Sequence, residues 1–299
     1  MSGALTLKPS YYEALRRLTL ELAGVNLGND HRFLIETRLR TLARQEGYTG
    51  LLHMIEELFS QGQARLALQV VSSLLERDVQ FNADPKGLLQ LENHVWPALE
   101  SLYGDHTVRV LSFGCSSGQE TYSLAMQFDK CRDRFPHLKL EITGIDYPSS
   151  ALARAQRGQY THFEVQRGLP IRDLITYFDR RGEDWVVKPS LREQVSFREH
   201  HLMSNLSGLG HFHLIVFRNR LASYAPAAQV RILRGLSSII PPLGYLMLAF
   251  DEKMPKTGYG FDGVTNIPGI FQRRAPVEPA DTAENPAIEE LQAQRLTML

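Results

Sequence analysis

The stretch "VRVLSFGCSSGQETYSLAM", Val108 to Met126, constrains the fold more than any other part of the chain. An apolar run enters a cluster of small residues between Gly114 and Gly118, and a helical pattern leaves it. The two glycines let the backbone bend sharply and bring a ligand close to the main chain, because no Cβ intrudes. The third glycine of the dinucleotide fingerprint is missing. Glu120 stands instead near the start of the helix, where the helix dipole favours a carboxylate. A carboxylate there repels phosphate but accepts a hydrogen bond from an amine or a hydroxyl. A purely structural strand-to-helix turn is also consistent with this segment alone.

The surroundings narrow the choice. "LEITGID" reads as a second strand, "FHLIVFRNRL" holds a third and "GYLMLAF" a fourth, each separated from the next by helical sequence. Such alternation predicts a parallel, doubly wound sheet with ligands beyond the carboxyl ends of the strands. The second strand ends in Asp146, at the place where an acidic residue takes the two hydroxyls of a ribose. Asp146 also suits an N-cap for the helix that follows. A glycine turn with a strand-end acid one βαβ unit later is a joint signal for an adenosine-bearing ligand. Without a pyrophosphate cradle, S-adenosylmethionine (SAM) suits the pattern better than NAD.

Outside this region the texture differs. Residues 1–75 are predicted to form about four short helices. Leu15, Leu18 and Leu22 lie at helical spacing before Gly24, and Leu34, Leu39 and Leu42 lie near one face of a second helix capped by Asn29 or Asp30. Arg16, Arg17, Arg32, Arg38, Arg40 and Arg44 make this part locally basic, either as a solvated face or as a docking surface for an acidic partner. Between Tyr160 and Phe197 the β/α rhythm breaks, and "DWVVKP" and "EQVSFRE" read as short strands of a small insert. Residues 276–299 are rich in Pro, Ala and Glu and read as a flexible tail.

Composition excludes some partners. The 33 basic and 33 acidic residues balance, so no global field draws the chain to nucleic acid or anionic membrane. No apolar run approaches the roughly 20 residues that span a bilayer, so membrane insertion is not expected. The first residues carry no signal-peptide core, and the two cysteines, Cys115 and Cys131, have no metal-type spacing. A reducing, cytoplasmic setting follows. The alternating His211 and His213 lack Cys or acid partners, so no metal site is expected.

"GCSSGQETYSLAM" closely resembles the SAM-binding turn of the chemotaxis receptor methyltransferases, the CheR family. "GVNLGNDHRFLIETRLRTLARQEG" resembles that family's helical N-terminal domain. The segment from "GQYTHFEVQRGLP" to "EQVSF" is similar to its linker and β-subdomain. "FHLIVFRNRL" and "LGYLMLAFDE" resemble two of its strands, and the likeness spans roughly residues 10–262. The resemblance implies a helical domain at 1–75 and a Rossmann-like α/β methyltransferase domain at 76–275. That domain would hold a small antiparallel β-subdomain at about 160–197 and be followed by the tail at 276–299. It further implies SAM or S-adenosylhomocysteine as cofactor, and as partner a chemoreceptor-like or other signalling protein whose glutamates are esterified.

Motif by motif, the resemblance assigns cofactor roles to Gly114, Gly118, Glu120 and Asp146, and to Arg218 and Asn219 of an R-N pair. Leu202 matches the leucine of an N-L pair beside the adenine, and His201 stands for its asparagine. Other positions depart. Where the family has N-E-T-x-F-F-R-D, this chain reads "ERDVQFNADP". Asn82 or Ala83 stands for the arginine, and Asp78 or Val79 for the threonine. The family's C-R-N-V-L-I-Y-F becomes "FRNRLASY", so Ser223 replaces the tyrosine, with Tyr224 one residue late. An arginine clamps a carboxylate bidentately and neither Asn nor Ala does so. Two functions therefore remain open: a carboxyl methyltransferase, or a degenerate module that binds the cofactor and partner proteins without transfer.

Overall fold

The computed structural model describes residues 7–28, 32–75, 79–104, 106–147, 150–201, 203–255 and 258–274. The expected N-cap at Asn29 or Asp30 and the tail at 276–299 lie outside these residues.

Four helices open the chain: α1 (Pro9–Ala23), α2 (Arg32–Gln45), α3 (Leu51–Gln61) and α4 (Ala64–Leu75). They share an apolar cluster that includes Leu15, Leu39, Met54, Ile55 and Val70. On α2 the buried stripe is Ile35, Leu39 and Leu42, while Leu34 is exposed, because i, i+4 and i+7 fall on one helical face. Buried Glu36 accepts the Leu7 N–H at 2.9 Å, the Tyr12 hydroxyl, and Arg40 Nη2 at 2.7 Å. Next come α5 (Pro85–Gln90), capped by the Asp84 side chain on the Gly87 N–H, a π-helical turn, and α6 (Trp96–Tyr103).

The remaining elements mix strands and helices. In chain order they are β1 (Thr107–Phe113), α7 (Gln119–Cys131), β2 (Lys139–Asp146), α8 (Ser150–Arg157) and β3 (Gln159–Thr161). Then follow α9 (His162–Gln166), α10 (Ile171–Tyr177), β4 (Phe178–Arg181), β5 (Asp184–Val187) and α11 (Pro189–Arg192). The last are β6 (Val195–Glu199), β7 (Leu214–Val216), α12 (Pro226–Ile239), β8 (Tyr245–Met247), β9 (Phe261–Gly263) and β10 (Ile270–Arg273). Among the described residues the main sheet has seven strands in the order β6-β2-β1-β7-β8-β10-β9. From β6 to β8 every pairing is parallel, with Val110 opposite both Ile142 and Leu214, and β10 pairs antiparallel with β8 and β9.

Period-2 alternation divides the core. Val108 and Val110 of β1 and Leu214 and Val216 of β7 face the layer that contains α5 to α7. Leu111, Phe113, Ile215 and Phe217 face α12, together with Leu233 and Leu236. Ala23, Val25 and Val71 join this second cluster, so the end of α1 and the body of α4 pack against the loop after β7. The Gly24 carbonyl accepts the Ala225 N–H at 2.7 Å, and Val25 bridges Tyr224.

Two expectations need correction. The sequence "EQVSFRE" was expected within the insert, but β6 lies in the main sheet, parallel to β2. Its Phe197 ring packs against Tyr122 of α7 at 5.5 Å between centroids. The insert is the antiparallel sheet β3-β5-β4, so it ends before β6. Alternation in a five-residue strand does not say which sheet it joins, because the pairing is non-local. The β9–β10 hairpin has no counterpart in the sequence reading.

Candidate functional site

Strand order reverses at β1, which has β2 on one side and β7 on the other, and the crevice beyond their carboxyl ends is where such sheets bind ligands. The turn after β1 is built there. Gly114, Ser116 and Gly118 have φ of 78°, 51° and 87°. The N–H groups of Gly114 and Cys115 both donate to the Ile145 carbonyl, at 2.7 and 2.9 Å, and the Ser116 N–H donates to Asp146 Oδ2 at 2.6 Å. Gly114 and Asp146, paired on sequence grounds, are thus tied together. The two glycines differ in task. A Cβ on Gly118 would lie 2.8 Å from Ala155 Cβ, so that glycine lets α7 and α8 pack. A Cβ on Gly114 would meet the Arg220 guanidinium in the crevice.

Glu120 lies in the first turn of α7. Its Oε1 accepts Arg218 Nε at 2.6 Å and its Oε2 accepts the Ser112 hydroxyl at 3.2 Å. Arg218, with only 3% of its side chain exposed, also sits 3.5 Å from Asp84 Oδ2 through Nη1. That Nη1 is buried and makes no hydrogen bond, so it offers a donor to a bound group. Asn219 holds φ at 55°, and its N–H and that of Leu221 donate to Glu252 at 2.8 and 3.0 Å. Asn219 is exposed, and Glu252 fixes the backbone on either side of Arg220.

At the other end, Asp146 Oδ1 accepts the Tyr147 N–H at 2.7 Å, and its carbonyl accepts the His200 N–H at 2.9 Å. Tyr147 and His201 meet edge-on, 4.7 Å between ring centroids. Both border a cavity of about 1010 Å³, whose opposite wall is formed by α2 and α4 through residues such as Arg38, Leu42 and Ser72. Burial, followed by His200 and Arg231, lowers the His201 pKa and keeps its ring neutral. Leu202 lies outside the described residues.

These residues fit SAM. Glu120 suits its amine, Asp146 a ribose, and Tyr147 and His201 a flat base. Ser116 Oγ and Arg218 Nη1, buried without a hydrogen bond, offer donors.

The departing positions do not converge on the crevice in the same way. The Asn82 N–H donates to Ser123 Oγ at 3.0 Å and its Nδ2 to the Gly168 carbonyl at 3.0 Å, at a φ of 48°. Ala83 is exposed, Val79 is half-buried, and Asp78 lies outside the described residues. Ser223 Oγ donates to the Arg220 carbonyl at 2.6 Å. Tyr224 is buried in the α12-side cluster, its ring 6.1 Å from that of Phe217.

Other reactive groups have structural partners. Cys115 is buried, and burial with Asp146 raises its thiol pKa well above the ordinary range, which keeps it protonated. His213 Nδ1 accepts the Arg109 N–H at 2.9 Å. Among the described residues no group of three His, Cys, Asp or Glu is arranged to hold a metal ion. Sequence reasoning missed Asp84, Tyr147, Arg220 and Glu252 as parts of the site. Two of them carried a signal: Glu252, as the glutamate that ends "LGYLMLAFDE", and Arg220, as a charge where the family pattern R-N-V-L has valine.

The family described as CheR methyltransferase, SAM binding domain, matches residues 78–266. The chain is 30% identical over 264 residues to the chemotaxis protein methyltransferase Cher2 of Pseudomonas putida, covering 87% of this chain and 96% of that one. It is also 30% identical over 266 residues to chemotaxis protein methyltransferase 1 of Pseudomonas aeruginosa, covering 88% and 97%. A chemotaxis protein methyltransferase of Vibrio parahaemolyticus is 26% identical over 273 residues, covering 90% and 98%. Turn, strand-end acid and matched span agree, and the chain belongs to the CheR methyltransferase family.

Proposed function

We propose that this chain is a SAM-dependent protein-glutamate methyltransferase of a chemosensory pathway, acting on a chemoreceptor-like partner in the cytoplasm. The observation that carries the reading is the linked turn: Gly114 hydrogen-bonded to the end of β2, Asp146 holding Ser116, and Glu120 held by Arg218. When bound, SAM supplies a methyl group on a cationic sulfur. The chain's residues bind and align. Glu120 holds the amino end, Asp146 the ribose, and Tyr147 and His201 flank the base. A carboxylate acceptor is ionised near neutral pH, so no general base is needed. The site has to position the acceptor and exclude water. We assign helical residues 1–75 to one domain and 76–275 to the methyltransferase domain. No helix among the described residues is long and apolar enough to cross a membrane.

Calorimetry with SAM and S-adenosylhomocysteine tests the cofactor, and labelled-methyl transfer to cytoplasmic receptor fragments tests the reaction. Binding that Asp146→Ala abolishes, together with base-labile label on the receptor, is the expected result. Absence of heat at millimolar ligand would sink the reading. Asn82 and Ala83 in place of an arginine favour a second reading, a module that binds the cofactor without turnover. Binding with no label on any receptor fragment would support it.

A further inference from the structure

Arg220 has no role in the site as derived so far, yet it lies at its centre. The turn at Asn219 sends Arg218 toward Glu120 and Arg220 toward Gly114 and Asp146. A Cβ on Gly114 would lie 2.3 Å from Arg220 Nη1 and 2.6 Å from Cζ, so the guanidinium rests on the open face of that glycine. Arg220 Nη2 stands 3.5 Å from Asp146 Oδ2, and both side chains are 10% exposed. These are the two features that the site offers to a nucleoside.

The acceptor count makes the conflict definite. A carboxylate has about four acceptor positions. On Asp146 the Tyr147 N–H takes one, the Ser116 N–H a second and Arg220 a third. Two ribose hydroxyls need two. Backbone motion does not relieve this, because Glu252 accepts the N–H groups of Asn219 and Leu221, and the Arg220 carbonyl accepts the Ser223 N–H and Oγ. Only the Arg220 side chain is left to move.

We infer that Arg220 is a built-in competitor for the cofactor: its guanidinium fills the ribose side of the crevice, and binding requires the Arg220–Asp146 pair to open. This rests on the SAM reading above. Affinity is then reduced by the fraction of molecules in which the pair is open. Arg220 thereby sets the cofactor concentration at which the site fills.

The test is calorimetry of the full chain, Arg220→Val and Arg220→Met with S-adenosylhomocysteine, alongside melting of the ligand-free proteins. Valine frees the space and the carboxylate, while methionine keeps the length and drops the charge. At least tenfold tighter binding in one or both variants is expected, with a ligand-free melting temperature no higher than that of the unaltered chain. Opposite movements of affinity and stability set this apart from a packing role, which would lower both. Unchanged or weaker binding in both variants while the unaltered chain binds would overturn the inference and make Arg220 a cofactor contact. No binding by any of the three, with native circular dichroism, would overturn both this inference and the SAM reading. If the valine variant does not fold, the methionine variant decides.

Discussion

Arg218 Nε donates to Glu120 Oε1 at 2.6 Å, joining the end of β7 to the first turn of α7 across 98 residues of sequence. The pair lies where the methionine end of the cofactor is proposed to bind. Because Arg218 also approaches Asp84, which caps α5 and accepts the Phe250 N–H at 3.1 Å, one guanidinium ties together α5, α7 and the segment after β8. Arg220 and Asp146 form the second pair, on the ribose side.

Arg218→Ala leaves Glu120 and Asp84 without their shared cation at depth, and breaking a buried pair in this way costs about 3–5 kcal/mol. Urea denaturation should show a loss of at least about 2 kcal/mol, allowing for partial hydration of the two acids. Glu120→Gln keeps the Asp84 contact and should cost less stability. Its main effect is on the ligand: losing one charge-assisted hydrogen bond, worth about 1.5–3 kcal/mol, weakens cofactor binding roughly ten- to hundredfold in calorimetry. Equal affinity in this variant would remove Glu120 from the amine site.

Gly168 is the contact between the linker and the stretch where the family arginine is missing. Its φ is 94°, and a Cβ there would lie 1.9 Å from the Phe81 carbonyl oxygen. That atom is backbone, and Asn82 next to it is held by Ser123 and Gly168, so the clash has no cheap outlet. Gly168→Ala should therefore destabilise by more than about 2 kcal/mol, from steric overlap added to positive-φ strain. Gly62→Ala, at a φ of 60° with nothing within 4 Å, should cost only about 1 kcal/mol. Denaturation midpoints that fall equally would show that the Phe81 contact relaxes freely.

Legibility followed the range of the interactions. The turn from Gly114 to Glu120, the strands carrying Phe113 and Asp146, and the four N-terminal helices rest on local period and small-residue spacing, and the sequence displays both. β6 departs from the sequence reading because Val195–Glu199 alternates suitably for either sheet, and only its parallel pairing with β2 decides. Asp84 carried no sign of a part in the site. Its proximity to Arg218 depends on a tertiary approach across the sheet that no spacing encodes. Arg220 was visible as an unusual residue, but its direction is set by the positive φ of Asn219 and by Glu252, 32 residues further on.

Acid should weaken the fold through histidines. Burial, as the largest cause, lowers the pKa of His200, His201 and His213 below the ordinary 6.5. The unfolded chain then binds more protons than the folded one below about pH 6.5. The stability from these neutral rings is fully present above that value and is lost as pH falls through the lower folded values. His213 Nδ1 accepts the Arg109 N–H, which a doubly protonated ring cannot do. Urea midpoints should drop between pH 7 and pH 5.5, and His200→Gln with His213→Gln should flatten the slope. An unchanged slope in that double variant would assign the acid sensitivity to other groups.

Asn82, which with Ala83 is a candidate for the place of the family arginine, has a φ of 48°, a conformation that asparagine tolerates better than most residues, and its carboxamide is bound to the Gly168 carbonyl. Asn82→Arg should cost about 1 kcal/mol of stability from the lost hydrogen bond and the less favourable backbone. If position 82 is the one that stands for the family arginine, the new cation can clamp a carboxylate acceptor, which neither Asn nor Ala does. A charge-assisted hydrogen bond of roughly 2–3 kcal/mol, made to the acceptor in the transition state, corresponds to a rate gain of about tens- to hundredfold. Labelled-methyl transfer to receptor fragments should rise by that factor, while the affinity for S-adenosylhomocysteine stays within about threefold, because Glu120 and Asp146, the residues proposed to hold that ligand, are unchanged. A rate that stays flat with cofactor affinity intact would mean that alignment of the acceptor is not what limits this chain.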